Sequence, residues 1–225
     1  MTFKHDLFAQ FARVGKALSN ANRLELLEFL AQGERSVEQL SQVAGLTVAN
    51  TSQHLQQLRH AGMVSCRKEG LKVYYRISGD DIITLLDALR TVAERHVTDV
   101  QHLVNTYLTV KDELEPIPRT ELLERVRDGL VTVLDVRPAE EFAAGHVSGA
   151  INVPLQALED YLQDFDNLDH ENKEIIAYCR GPHCVLAFDA VARLRQQGLS
   201  ARRLEDGYPE WKIAGLPVEE NPSQT

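Results

Sequence analysis

The chain has 225 residues, a net charge of −9, 44% apolar residues and three cysteines. That suits two ordinary domains with real cores, and three cysteines cannot frame a small disulfide-stapled fold, so a reducing compartment, the cytoplasm, is expected. The first 30 residues are interrupted by Lys4, Asp6, Arg13, Lys16 and Arg23, and no later segment approaches a membrane-spanning apolar run, which argues against a secretory signal and a membrane partner.

The acidity is uneven. Residues 1–110 carry 12 Lys and Arg against 11 Asp and Glu, whereas residues 111–225 carry 12 against 22. Within residues 50–76, Arg59, Arg67, Lys68, Lys72 and Arg76 face one acid, Glu69. Such a local basic patch suits a polyanion, and the acidic half is expected to face away from it.

In chain order, Phe3, Leu7, Phe8, Phe11, Val14 and Leu18 recur at helical spacing and predict a helix over 3–18. A second helix over 23–31 follows, capped by Asn20 or Asn22 and ended near Gly33. Ser36 opens a third that runs to about Val43. Ala44-Gly45-Leu46 makes a tight turn, and Thr47 caps a fourth helix that Gly62 stops after His60. Two helices joined by a short glycine turn make the helix-turn-helix pattern.

The fourth helix has a thin apolar stripe of Val48, Leu55 and Leu58. Around it stand Asn50, Thr51, Ser52, Gln53, His54, Gln56 and Arg59, with Thr47 at its start. These side chains can hydrogen-bond base edges and phosphates. A merely solvated face would favour Glu and Lys, so this one reads as a major-groove reader of double-stranded DNA. Two β-rich runs within 63–78 flank Lys68-Glu69-Gly70-Leu71, a hairpin from which Lys68, Lys72 and Arg76 would reach phosphate. Asp80 or Asp81 then opens a helix expected to run unbroken to Leu108. Its Ile82, Leu85, Leu86, Leu89, Val92, Val100, Leu103 and Leu108 suit packing on the first helix and on a partner subunit.

Residues 10–80 resemble the ArsR-type winged-helix repressors, in the runs SNANRLELLEFL (19–30) and TSQHLQQLRHAGMV (51–64). The resemblance implies an α+β winged helix-turn-helix domain, here assigned 1–108. It also implies an obligate homodimer on an imperfect palindrome and release of DNA when an inducer is sensed. Metal-sensing relatives carry cysteines where this chain has Ser36-Val37-Glu38-Gln39-Leu40. On the last helix Asp87, Glu94, His96, Asp99 and His102 do not gather on one face, so no metal and no other cofactor is expected. Persulfide-sensing relatives carry a cysteine pair in this domain. Only Cys66 is present, so the sensing chemistry is expected elsewhere.

Thr109 to Pro118 is charged and contains Pro116 and Pro118, marking a linker over 109–118. The second domain, 119–225, alternates elements: helix 119–128, strand 131–137, helix 138–145, strand 149–154, helix 155–165, strand 175–178, helix 185–198 and strand 200–204. That order predicts an α/β fold with a parallel sheet and active residues at strand C-termini, where Asp135, Arg137 and Cys179 fall. Cys179-Arg180-Gly181-Pro182-His183-Cys184 is a strand–loop–helix junction. Its amides favour an anion, and a thiol held there beside Arg180 is expected to have a lowered pKa.

Residues 116–220 resemble a single rhodanese domain. The matching stretches are LDVR (134–137), EFAAGHVSGAINVP (141–154), YCRG (178–181) and EDGYPEW (205–211) with GLPV (215–218). The resemblance implies that Cys179 accepts a sulfane sulfur as a persulfide cradled by loop amides. Asp135 and Arg137 would support the loop, and Arg180 would help bind an anionic donor such as thiosulfate or polysulfide. The six-residue loop resembles the sulfur-transferring branch. A second thiol, Cys184, could attack the Cys179 persulfide and leave a bridge. The expected function is a DNA-binding repressor that senses sulfane sulfur through Cys179 with Cys184. The alternatives are a sulfurtransferase located on DNA by its winged helix, and an arsenical or metal sensor using Cys179, Cys184 and His183.

Overall fold

The structure is a computed structural model, and it describes residues 2–109, 116–163 and 173–220. The chain divides into two compact units, Met1–Leu86 and Asp87–Thr225.

The first unit contains α1 (Phe3–Leu18), α2 (Ala21–Ala31), β1 (Arg35–Ser36), α3 (Val37–Val43), α4 (Val48–His60), β2 (Val64–Glu69), β3 (Lys72–Ile77) and the first turns of α5 (Asp80–His96). Local chemistry sets the helix starts. The Asn20 side chain accepts from the Arg23 N–H, Ser36 and Gln39 form a reciprocal capping box, and Thr47 accepts from the Asn50 N–H at 3.2 Å. Leu26, Leu27, Leu30, Leu40, Leu55, Leu58 and Met63 make the core. Each such side chain removed from water contributes roughly 1.5–3 kcal/mol. β2 and β3 pair antiparallel and turn at Gly70, whose φ of 58° suits glycine. β1 adds to the free edge of β3, which completes a winged helix-turn-helix.

The expected single helix to Leu108 is broken. α5 ends at His96, Val97 adopts extended dihedrals (φ −108°, ψ 104°), and α6 (Thr98–Val104) leads into a π-helical turn, Asn105–Thr109. Val97 and Thr98 are adjacent β-branched residues, and Asp99 favours the first turn of a new helix. The compact units divide inside α5. Of the predicted linker, residues 110–115 lie outside the described residues, while Ile117 bridges to Leu204 within the second unit.

The second unit continues with α7 (Arg119–Arg127), β4 (Val131–Asp135), α8 (Ala139–Ala144), β5 (Gly145–Val147), β6 (Ile151–Asn152), α9 (Leu158–Gln163), β7 (Glu174–Tyr178), α10 (Val185–Gln196), β8 (Ala201–Arg203), α11 (Tyr208–Ile213) and β9 (Val218–Glu220). The strands β6-β4-β7-β8 form a parallel sheet. β7 is buried on both faces. Ile175 and Ala177 pack with α10, and Ile176 and Tyr178 pack with Trp211, which is why it reads as an unbroken apolar run. A short 3₁₀ turn, Leu155–Ala157, precedes α9; the predicted end of that helix, Phe165, lies outside the described residues. Three features were not expected: β1, α11, and the antiparallel β5–β9 pair. Strands of two or three residues carry too little alternation to read.

Candidate DNA-binding face and cysteine loop

On α4, Asn50, Gln53, Gln56 and Arg59 are exposed, as is Thr47 at its cap. Ser52 is half-buried, with its hydroxyl 3.5 Å from the Gln56 amide. Two expected contacts do not face outward. Thr51 is 0% exposed, and its hydroxyl donates to the Thr47 carbonyl at 3.0 Å. At i, i+4 and i+7 it extends the Leu55–Leu58 stripe into the core, so it cannot reach a base. His54 is half-buried and turned toward α2, with Asn22 Nδ2 3.5 Å from its Nε2. On the wing Lys68, Lys72 and Arg76 are exposed, whereas Arg67 is held by Glu34 and Glu69.

At the end of β4, Asp135 and Arg137 are both 0% exposed. Arg137 Nη2 lies 2.5 Å from Asp135 Oδ2, the Arg137 N–H donates to Oδ1 at 3.0 Å, and Nη2 also donates to the Gly145 carbonyl at 2.8 Å. The Tyr178 hydroxyl donates to Asp135 Oδ2 at 2.6 Å. Burial, then the Asp135 charge, pushes the Tyr178 phenol well up, so it stays a donor. This is an interior brace under the residue that precedes Cys179.

The loop itself is held by its neighbours. The Tyr208 N–H donates to the Cys179 carbonyl at 3.1 Å, and the Cys184 N–H to the Gly181 carbonyl at 3.1 Å. Gly207 lies so close to the Arg180–Gly181 peptide that any side chain there would overlap it. Glu210 accepts from the Gly207 N–H at 3.1 Å. Arg180 bonds the buried Glu141, Nε to Oε2 at 3.0 Å and Nη2 to Oε1 at 2.7 Å. The residue expected to bind a donor is thus held in a carboxylate fork. Pro182 is half-buried, and His183 Nε2 stands 2.9 Å from Glu94 Oε1 on α5. Partial burial lowers the His183 pKa against the opposing Glu94 charge. Arg90, also on α5, reaches Glu210 at 3.1 Å and bonds Asp87. Glu141, Gly207 and Glu210 escaped the sequence reading as site residues, although each lies in a rhodanese-like stretch.

The thiols reverse one expectation. Cys179 is 1% exposed and enclosed by the core beside Val136, Val153 and Ala187. Its S–H donates to the Cys184 carbonyl at 3.3 Å. Burial, then the hydrogen bond to the Cys184 thiol, pushes the Cys179 pKa well above its ordinary value. Cys184 is half-buried at the N-cap of α10. The hydrogen bond from Cys179 holds its pKa down against burial, helped by the Arg180 and Leu186 amides and the Arg180 charge. The lowered pKa expected for the first cysteine therefore belongs to the second. Cys66 is half-buried in β2 opposite Tyr75. Among the described residues, no group of three or more His, Cys, Asp and Glu side chains is placed to hold a metal ion, and no helix is long and apolar enough to cross a membrane.

A winged helix-turn-helix and a parallel sheet whose central strand ends in a cysteine loop define a DNA-binding regulator with a rhodanese-like unit. Residues 20–65 match the bacterial regulatory protein arsR family, and residues 118–214 match the rhodanese-like domain. The chain is 45% identical over 217 residues to the HTH-type transcriptional regulator Rv0324 of Mycobacterium tuberculosis, a match covering 96% of this chain and 93% of that protein. It is 39% identical over 94 residues to the uncharacterized HTH-type transcriptional regulator Rv0081 of the same organism, covering 41% of this chain and 82% of that protein. The solution structure of the homodimeric winged helix-turn-helix domain of a possible ArsR-family regulator from Mycobacterium bovis is 43% identical, with a TM-score of 0.41, covering 43% of this chain and 90% of that one. The chain belongs to the ArsR family of transcriptional regulators and carries a C-terminal rhodanese-like domain.

Proposed function

We propose that this regulator is a repressor induced by sulfane sulfur, such as polysulfide or a persulfide, taken up at the Cys179–Cys184 loop. The observation that carries this reading is the thiol pair: two free cysteines in one six-residue loop, with the Cys179 S–H donating to the Cys184 carbonyl at 3.3 Å. A thiol that has taken up sulfur there stands beside a second thiol able to displace it, so the loop has two chemical states. The occupation of Arg180 by Glu141 favours a polysulfide over dianionic thiosulfate. On α1, Phe3, Phe8 and Phe11 are exposed, and on α5 so are Leu85, Leu89 and Val92. Apolar surface of this kind supports a homodimer that presents two α4 helices to an imperfect palindrome. α5 starts in the winged-helix unit, and its later turns carry Glu94 and Arg90, the partners of His183 and Glu210. A loop that changes state must change those contacts, which supplies the differential interaction that coupling requires.

The test is affinity for a duplex selected from random-sequence DNA, before and after polysulfide, for the wild type and Cys179→Ser, with intact mass read on the same samples. Affinity falls in the wild type alone, and the mass records added sulfur or a bridge. Sulfur loading with unchanged affinity would sink the repressor reading and leave a sulfurtransferase located on DNA.

A further inference from the structure

We propose that the winged-helix unit holds a second ligand site, for a small multivalent oxyanion such as a phosphate or a polycarboxylate. It lies in a basic cleft where the end of α1, the start of α2 and the end of α4 meet. The cleft has a volume of about 390 Å³, which falls within the range of small-molecule sites. Arg13, Lys16, Ser19, Arg23, Gln57 and His60 line it, and among the described residues no Asp or Glu does. All six belong to the first compact unit, so the cleft is separate from the cysteine loop. Gln57 and His60 stand in the last turn of α4, at the opposite end from the Thr47 cap.

Two arginines frame the cleft, and both bond only to uncharged oxygens. Arg23 is 8% exposed. It donates from Nε to the Ala17 carbonyl, from Nη2 to the Lys16 carbonyl at 2.8 Å and from Nη1 to Gln57 Oε1 at 2.6 Å. Arg13 donates from Nη2 to the His60 carbonyl at 2.7 Å and from Nη1 to Gln10 Oε1 at 2.8 Å. The Lys16, Ala17 and His60 carbonyls close the last turns of α1 and α4, where partial negative charge holds the guanidinium groups without supplying a full counter-charge. A guanidinium has five N–H groups. Each terminal nitrogen of both arginines therefore keeps one N–H outside these bonds. Lys16, exposed on α1 one turn from Arg13, adds a third cation. A buried charge is ordinarily met by an opposite one. Among the described residues none meets Arg23, and an anion in the cleft supplies it. Forked N–H groups match the paired oxygens of phosphate and carboxylate. The Gln57 amide, its oxygen taken by Arg23, keeps its NH₂ as a neutral donor.

The test is calorimetric titration of the full chain with inorganic pyrophosphate and, separately, with citrate, with hydrogen exchange read on the same samples. At least one anion saturates the protein, its affinity falls as salt rises, and amides within residues 13–23 and 57–61 gain protection. Binding of pyrophosphate alone assigns the cleft to phosphates, and binding of citrate alone assigns it to carboxylates. Arg13→Gln combined with Lys16→Gln changes two exposed positions and lowers the affinity about tenfold or more, as expected for lost charge-assisted bonds. The proposal is overturned if neither anion saturates the protein below roughly 1 mM. It is also overturned if the gained protection falls only on the cysteine loop or the wing, or if the double variant binds as the wild type does. Because exchange is read on the wild-type chain, it locates the anion whether or not the variant folds.

Discussion

The Asp135 carboxylate takes an ion pair, a backbone N–H and a phenol hydroxyl inside a site with no solvent access. Its worth is best seen by what its loss would leave: an Arg137 guanidinium buried without the carboxylate it is paired with. Removing one partner of a buried pair destabilises by roughly 3–5 kcal/mol, because the remaining charge keeps its desolvation penalty. Asp135→Asn is therefore expected to lower the urea midpoint of the rhodanese-like unit by an amount of that order. Trp211, the one tryptophan in the chain, lies in this unit's core and reports its unfolding by fluorescence. An unchanged midpoint would mean that the brace is dispensable. The same logic explains Arg180: with its fork filled by Glu141 it shapes the loop and lends charge to the thiols.

At the scale of elements, the proposed reading divides DNA binding between α4 and the wing. Asn50 and Gln53 expose amides suited to base edges, and Lys68, Lys72 and Arg76 expose charges suited to backbone phosphate. Gln53→Ala is expected to cost about 1–3 kcal/mol on the preferred duplex and to relax preference at one base pair. Lys72→Ala is expected to weaken binding to all sequences alike and to flatten the salt dependence by about one phosphate. Titration of matched and scrambled duplexes at several salt concentrations separates the two. Equal loss on both duplexes for Gln53→Ala would remove it from base reading. The cysteine loop divides labour in the same way, with β7 supplying a rigid end and α10 a positive start.

At the scale of the whole molecule, the proposed function requires a route from the cysteine loop to the DNA-binding helices. α5 is continuous from the winged-helix unit, where Ile83 is buried, to the turns that hold Arg90 and Glu94. His183 and Glu210 give the loop and its support one hydrogen-bonded partner each on that helix. A chain with both Arg90→Ala and Glu94→Ala is expected to load sulfur as the wild type does, while its DNA affinity no longer responds. Mass and binding measured on one preparation check this. A wild-type response in that variant would place the coupling elsewhere.

Much of the architecture is local and was therefore legible from residue order. Caps at Asn20, Ser36 and Thr47, the turn at Gly70, the thin stripe of α4 and the apolar run of β7 each depend on neighbours within a few residues. Strand ends and the two family-like sets of stretches then located Asp135, Arg137 and the cysteine loop. What the linear pattern misassigned depends on partners across space. Thr51 faces inward because the stripe needed one more member, and Arg180 meets a carboxylate 39 residues before it. The environments of the two thiols are likewise set by folding. A thiol's pKa follows its burial and its hydrogen-bond partners, and those exist only once β7, α10 and the loop have closed around Cys179 and left Cys184 half-buried beside it.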